Sequence, residues 1–110
     1  MEARRMAMQD KSMIKSTFRM LTGLSVPQLA LFVKALMETG ILLKQKVTEI
    51  GNFVALNFYT EKTEFISADS FIKKMTYAEF STAVKLWEAL ELAQDWLDEK
   101  YDVKKYLGLR

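Results

Sequence analysis

The 110-residue chain contains no cysteine and no histidine, one proline and four glycines. Without cysteine there are no disulfides, thiol nucleophiles or cysteine-ligated zinc sites. Without histidine a Ser-His-Asp triad and a histidine metal site are excluded as well. No catalytic signature built from other residues is recognisable. We therefore expect a non-enzymatic protein with no catalytic site, no metal site and no cofactor.

Long apolar runs are also missing. The longest uncharged stretch, residues 20–33, is shorter than the roughly 20 apolar residues that span a membrane, and polar residues interrupt it. Asp10 and Lys11 precede any apolar run of signal-peptide length. With half of its residues hydrophobic, the chain is expected to form one globular domain. We expect it to have no membrane contact and to be cytoplasmic or otherwise intracellular.

The net charge of +2 is unevenly distributed along the chain. Residues 1–46 hold eight basic and three acidic side chains, a balance of +5, whereas residues 47–110 hold eight basic and eleven acidic ones, a balance of −3. An anion-binding surface is therefore expected in the first half of the chain.

Apolar spacing predicts two helices in the first half. The first covers residues 10–21. The second covers residues 26–39, with Ser25 as its N-cap, Pro27 in its first turn and Gly40 as its stop signal.

After Gly40 the sequence pattern changes from helical spacing to the alternation of polar and apolar residues that is typical of a strand. Lys44 and Lys46 share one face of residues 43–47, and residues 53–60 are rich in aromatic and β-branched side chains. Gly51 and Asn52 between the two stretches favour a tight turn. This order predicts a β-hairpin.

The second half is predicted to be helical. A short helix is expected at residues 71–75. A capping-box pattern from Thr76 to Glu79 then precedes a helix that ends near Lys100 and would be roughly 37 Å long at 1.5 Å per residue. Its expected core-facing stripe consists of Phe80, Ala83, Leu86, Trp87, Leu90, Ala93, Leu97 and Tyr101.

A second apolar stripe on the same helix contains Ala89, Leu92 and Trp96. One small domain rarely covers both sides of a terminal helix, so this stripe predicts a homodimer or a protein partner. The alternative is that the short helix around Phe71 and Ile72 covers it.

The order of helix, turn, helix ending in Leu36-Met37-Glu38-Thr39-Gly40-Ile41, and hairpin with Gly51-Asn52 at its tip resembles the winged helix-turn-helix family of DNA-binding domains. The resemblance covers roughly residues 11–60. It implies an α+β fold, mainly helical and winged-helix-like, with one β-hairpin and a long C-terminal helix. The winged-helix-like core would occupy residues 11–66 and a helical extension residues 68–107.

The resemblance and the basic first half predict a small dimeric DNA-binding protein, a transcriptional regulator. Phosphate contacts are assigned to side chains on the first helix and the wing: Lys11, Lys15, Arg19, Lys44 and Lys46. Gln28 and Lys34 would face the major groove, with Asn52 at the wing tip. Solvated helix and strand faces explain the same lysines equally simply.

A second hypothesis remains open beside DNA binding. Leu31 lies in the middle of the supposed recognition face, and Glu38 on that face would repel phosphate. These residues favour a protein-binding adaptor or inhibitor that uses an apolar helix face and binds no nucleic acid. Its interface would include Leu31, Ala89, Leu92 and Trp96.

Overall fold

The computed structural model describes residues 18–109 and has the expected α+β composition, mainly helical with one small sheet. The elements in chain order are β1 (Met20–Thr22), α1 (Val26–Glu38), α2 (Val47–Asn57), β2 (Phe58–Thr60), α3 (Ala68–Thr76), α4 (Phe80–Tyr101) and α5 (Val103–Leu107). None of the helices within this part of the chain combines the length and apolar character needed to cross a membrane.

The predicted first helix lies mostly outside the described residues. At its expected end the prediction is wrong, because Met20 and Leu21 belong to β1. This strand pairs in parallel with β2, with Met20 opposite Phe58 and Thr22 opposite Thr60.

The predicted second helix is confirmed as α1. The Ser25 Oγ accepts a hydrogen bond from the backbone N–H of Gln28, and the Gln28 side chain accepts one from the backbone N–H of Ser25, so the two residues form a capping box. Pro27 lies in the first turn, where no N–H is needed. Gly40 follows the helix with a φ of +82°, a conformation that glycine adopts without strain.

The predicted β-hairpin is wrong. Residues 43–46 have no regular structure, and α2 occupies the place of the turn and most of the second strand. Val47, Ile50 and Val54 recur at helical spacing, and Val54 is buried in the core, so packing prevails over local alternation. Consequently Lys44 and Lys46 lie in an irregular connection, and Asn52 lies on a helix surface, not at a wing tip.

The core lies where α3 packs against both α1 and α2. The short helix predicted around Phe71 is thus confirmed, although it extends from Ala68 to Thr76. Phe71 is fully buried at the centre. The buried cluster comprises Leu29, Ala30, Met37, Val54, Ile66, Phe71 and Met75.

The predicted long helix is confirmed as α4, but its start and its packing differ from expectation. Thr76 is the last residue of α3, and Glu79 precedes α4 without a side-chain cap, so the capping-box prediction is wrong. Among the residues predicted to face the core, only Leu86 is buried. The helix packs against α1, and it leaves most of the predicted stripe exposed to solvent.

Candidate interaction surfaces

The residues predicted to bind nucleic acid are spread over several elements. Lys11 and Lys15 lie outside the described residues. Gln28 and Lys34 lie on α1, Asn52 on α2, and Lys44 and Lys46 in the connection between the two helices. The structure brings Lys34 and Lys44 together at one carboxylate. Their Nζ atoms lie 3.9 Å and 3.4 Å from the Glu38 Oε2 atom.

Arg19 has partners within the fold. Its guanidinium lies 4.7 Å from the ring centre of Tyr59 and 5.0 Å from that of Phe65. Its Nη1 donates a 2.7 Å hydrogen bond to the carbonyl oxygen of Glu64. Cation–π contacts and a charge-assisted hydrogen bond both favour this position. Arg19 therefore joins the start of β1 to β2 and the segment that follows it.

The face of α1 predicted to read bases also takes part in local structure. The Gln28 side chain completes the capping box with Ser25, and Lys34 forms an i,i+4 ion pair with Glu38. Leu31 on the same helix is half-buried. Base reading by Gln28 and Lys34 stays a prediction.

The C-terminal half of α4 leaves several large apolar side chains uncovered. The helix packs against α1. Leu86 is buried, with 4% of its surface exposed, and Thr82 and Ala89 on the same helix are half-buried. From Leu90 onward every residue of the helix is exposed except Asp98, which is half-buried and accepts a hydrogen bond from the backbone N–H of Lys104. Residues 90–101 thus extend beyond the core, and we call them the α4 arm.

Four apolar residues of the α4 arm, Leu90, Ala93, Leu97 and Tyr101, share one side of the helix, whereas Leu92 lies away from that side. Leu86, Leu90, Ala93 and Leu97 follow one another at intervals of four, three and four residues, the spacing of a coiled-coil contact line. Trp96, 55% exposed, lies beside this line and forms an edge-to-face contact with Tyr101. Asp95 lies on the opposite side of the helix.

The predicted interface residues occupy different environments on this helix. Ala89 is half-buried, whereas Leu92 is 71% exposed. α3 makes its main contacts with α1 and α2, so it leaves Leu92 and Trp96 largely uncovered. Leu31, the remaining predicted residue, is separate from the arm on α1.

An apolar groove, not predicted from the sequence, lies between α1 and α2. The groove has a volume of about 560 Å³, within the range of roughly 300–1,000 Å³ typical of binding clefts. Phe53 on its rim is 59% exposed. Its lining is formed by Leu29, Phe32, Val33, Leu36, Leu42, Gln45, Glu49, Ile50, Phe53, Val54 and Phe58.

The groove was not predicted because the hairpin interpretation placed Phe53 on a strand. A helical interpretation of residues 47–57 could have found it. Ile50, Phe53 and Val54 then fall on one side of a helix, and they line the groove together with Phe32 and Leu36 of α1.

No family model, curated protein or solved structure matches the chain. Function is therefore inferred from the surfaces themselves. Within residues 18–109 no three acidic side chains are grouped to hold a metal ion. The groove offers mainly aliphatic and aromatic side chains and the arm offers six of them, and such side chains bind other apolar surfaces through the hydrophobic effect.

Proposed function

We propose that this protein is a non-catalytic protein-binding module that associates with a second copy of itself through the α4 arm. The observation that carries the proposal is the exposure of the apolar side chains of the α4 arm, on a helix that packs against α1 and in which Leu86 is buried. A large apolar surface left in water is unfavourable unless another molecule covers it.

The size of the exposed surface supports a protein partner. A buried aromatic side chain removes about 150–250 Å² from water, so Trp96 and Tyr101 of the arm offer on the order of 400 Å², to which its leucines add. The two aromatic side chains alone thus supply about half of the roughly 800 Å² that each partner contributes to a typical stable interface.

The arrangement of the arm supports a close approach by another apolar element. Ala93 in the middle of the contact line has the smallest side chain there, so a neighbouring backbone can come near. Asp95 lies on the far side of the helix and keeps its hydration when the apolar side is covered. The arm can therefore be buried without burying this carboxylate.

Measurement of the molar mass over a range of concentrations by sedimentation equilibrium tests the proposal. We expect a reversible dimer, and Leu97→Ala should weaken it by about 30-fold, because two copies together lose about 2 kcal/mol of apolar transfer energy. Asp95→Ala is the matched control on the opposite side and should leave the dimer constant unchanged. A monomer at every concentration would refute self-association.

DNA binding stays a prediction of the sequence. Arg19 already contacts Tyr59, Phe65 and Glu64, and Lys34 and Lys44 share Glu38. Each of these contacts would have to compete with phosphate. The protein-binding function is therefore the better supported of the two.

A further inference from the structure

The side of α4 that carries the contact line is divided between α1 and solvent. Within the described residues, α4 makes its main contacts with α1 and with the short α5 that follows it. Leu86 is buried and Ala89 is half-buried, whereas Leu90, Ala93 and Leu97 on the same side are exposed. α1 therefore covers this side of the helix as far as Ala89, and the arm continues the same side without cover.

We infer that the α4 arms of two chains pair with each other in antiparallel orientation, each contact line against the other. This inference rests on the proposed self-association and adds the surface that receives the arm and the direction in which it lies. In this pairing Leu97 of each chain packs over the partner's Ala93, so a large side chain meets a small one in both central layers. The contact has two-fold symmetry and is isologous, so it closes as a dimer.

The position of α1 favours the antiparallel direction. A parallel partner would bring its own residues 80–89 alongside residues 80–89 of the first chain, on the side that α1 covers. With Leu97 level with the partner's Ala93, an antiparallel partner instead reaches Ala89 with its Tyr101, the last residue of α4. Asp102 then turns the chain out of the helix with a φ of +52°. The partner's helix therefore ends where the cover by α1 begins.

The charge layout of the arm favours the same pairing. The acidic residues of the arm are Glu91, Asp95, Asp98 and Glu99. All four lie more than about 100° around the helix from the contact line, so they stay hydrated on the outside of the pair, where salt screens their repulsion.

Of the charged side chains of the arm, Lys100 alone lies on the contact side. In a parallel pair the two Lys100 side chains would lie opposite each other and repel. In the antiparallel pair they are about 15 Å apart along the helices. Each then lies level with the partner's Leu90, which the aliphatic part of the lysine can cover while its ammonium group stays in water.

Distances between spin labels, measured by pulsed electron paramagnetic resonance on the full chain, test the inference. The chain lacks cysteine, so an introduced cysteine is the single labelling site. Ser81→Cys and Asp95→Cys both replace exposed residues on the side of α4 away from the contact line. Asp95 lies level with the proposed two-fold axis and is the matched control, whereas Ser81 lies about 21 Å from that axis along the helix.

We expect the distance between two labels at residue 81 to exceed the distance between two labels at residue 95 by about 20 Å, because antiparallel pairing separates the two residues 81 by about 42 Å along the helices. Distances that are alike for the two positions, in a chain that sediments as a dimer, would overturn the antiparallel pairing and leave self-association intact. A monomeric mass at every concentration, together with no label-to-label distance at either position, would overturn both proposals.

Discussion

Gly51 sets how closely α2 approaches α3. A Cβ atom built at this position would lie 2.8 Å from both the Cγ1 and Cδ1 atoms of Ile72 and 3.1 Å from the carbonyl oxygen of Ala68. Real side chains do not tolerate such distances without movement of their neighbours. Within the described residues, positive φ angles at glycine occur at Gly40 and Gly108. Gly51 is therefore required for space and not for an unusual backbone angle.

Gly51→Ala should destabilise the fold by about 1–2 kcal/mol, because the cost of overpacking exceeds the gain of roughly 1 kcal/mol in helix propensity. The free energy of unfolding measured in urea gives the effect. Asn52→Ala is the control at the next, exposed position of the same helix, and it should be neutral or stabilising by a few tenths of a kcal/mol. Equal or greater stability of Gly51→Ala would contradict close packing at this contact.

Among the helices, α1 was predictable because its signals are local. Ser25, Pro27 and Gly40 mark its ends by hydrogen bonding and backbone angle, and these effects depend on neighbours in the chain. The long C-terminal helix was predictable from its apolar period for the same reason.

The location of α2 was not predictable from local pattern alone. Gly51 and Asn52 have the composition of a turn, and only contact with Ile72, 21 positions later, gives Gly51 its role. The parallel pairing of β1 with β2 is similarly distant in sequence. The α1–α2 groove depends on both helices packing against α3, so it could not be inferred before α2 was recognised.

The attachment of α4 to the core depends strongly on Leu86. Leu86→Ala should remove about 2–4 kcal/mol from this contact. Because Leu86 is separate from the buried cluster around Phe71, α4 should loosen while the other helices remain packed. Hydrogen exchange in dilute solution should then accelerate in residues 80–101 much more than in α2.

Leu92→Ala is the matched control for this prediction, since it removes an exposed leucine from the same helix. Leu92→Ala should change the rate of hydrogen exchange in α4 little, because surface substitutions have small effects on stability. Equal acceleration in α2 and α4 after Leu86→Ala would show that the whole fold unfolds as one unit.

At the scale of the whole molecule, the described fold is elongated, with extents of 53 × 30 × 27 Å. α4 accounts for much of this shape, because its 22 residues span about 33 Å. The molecule also separates its charges. The acidic arm lies in the second half of the sequence, whereas Lys34, Lys44 and Lys46 lie in the first half.

This charge layout predicts weak binding to DNA. A random-sequence duplex should bind weakly at low salt and be released at moderate salt, because phosphate contacts by a few lysines are lost steeply as salt rises. Titration of a labelled duplex with the protein at two salt concentrations measures the affinity and its dependence on salt. Tight binding that persists at moderate salt, and that falls in a Lys15→Ala, Arg19→Ala double variant, would instead support the regulator predicted from the sequence.

The parallel pairing of β1 with β2 constrains the order in which the protein forms during synthesis. All of α1 and α2 lies between the two strands, so β1 leaves the ribosome long before its partner exists. Closing a loop of this length costs conformational entropy that docked helices must first offset. During synthesis β1 therefore stays unpaired until β2 has been made, and the sheet is completed after α1 and α2 have formed.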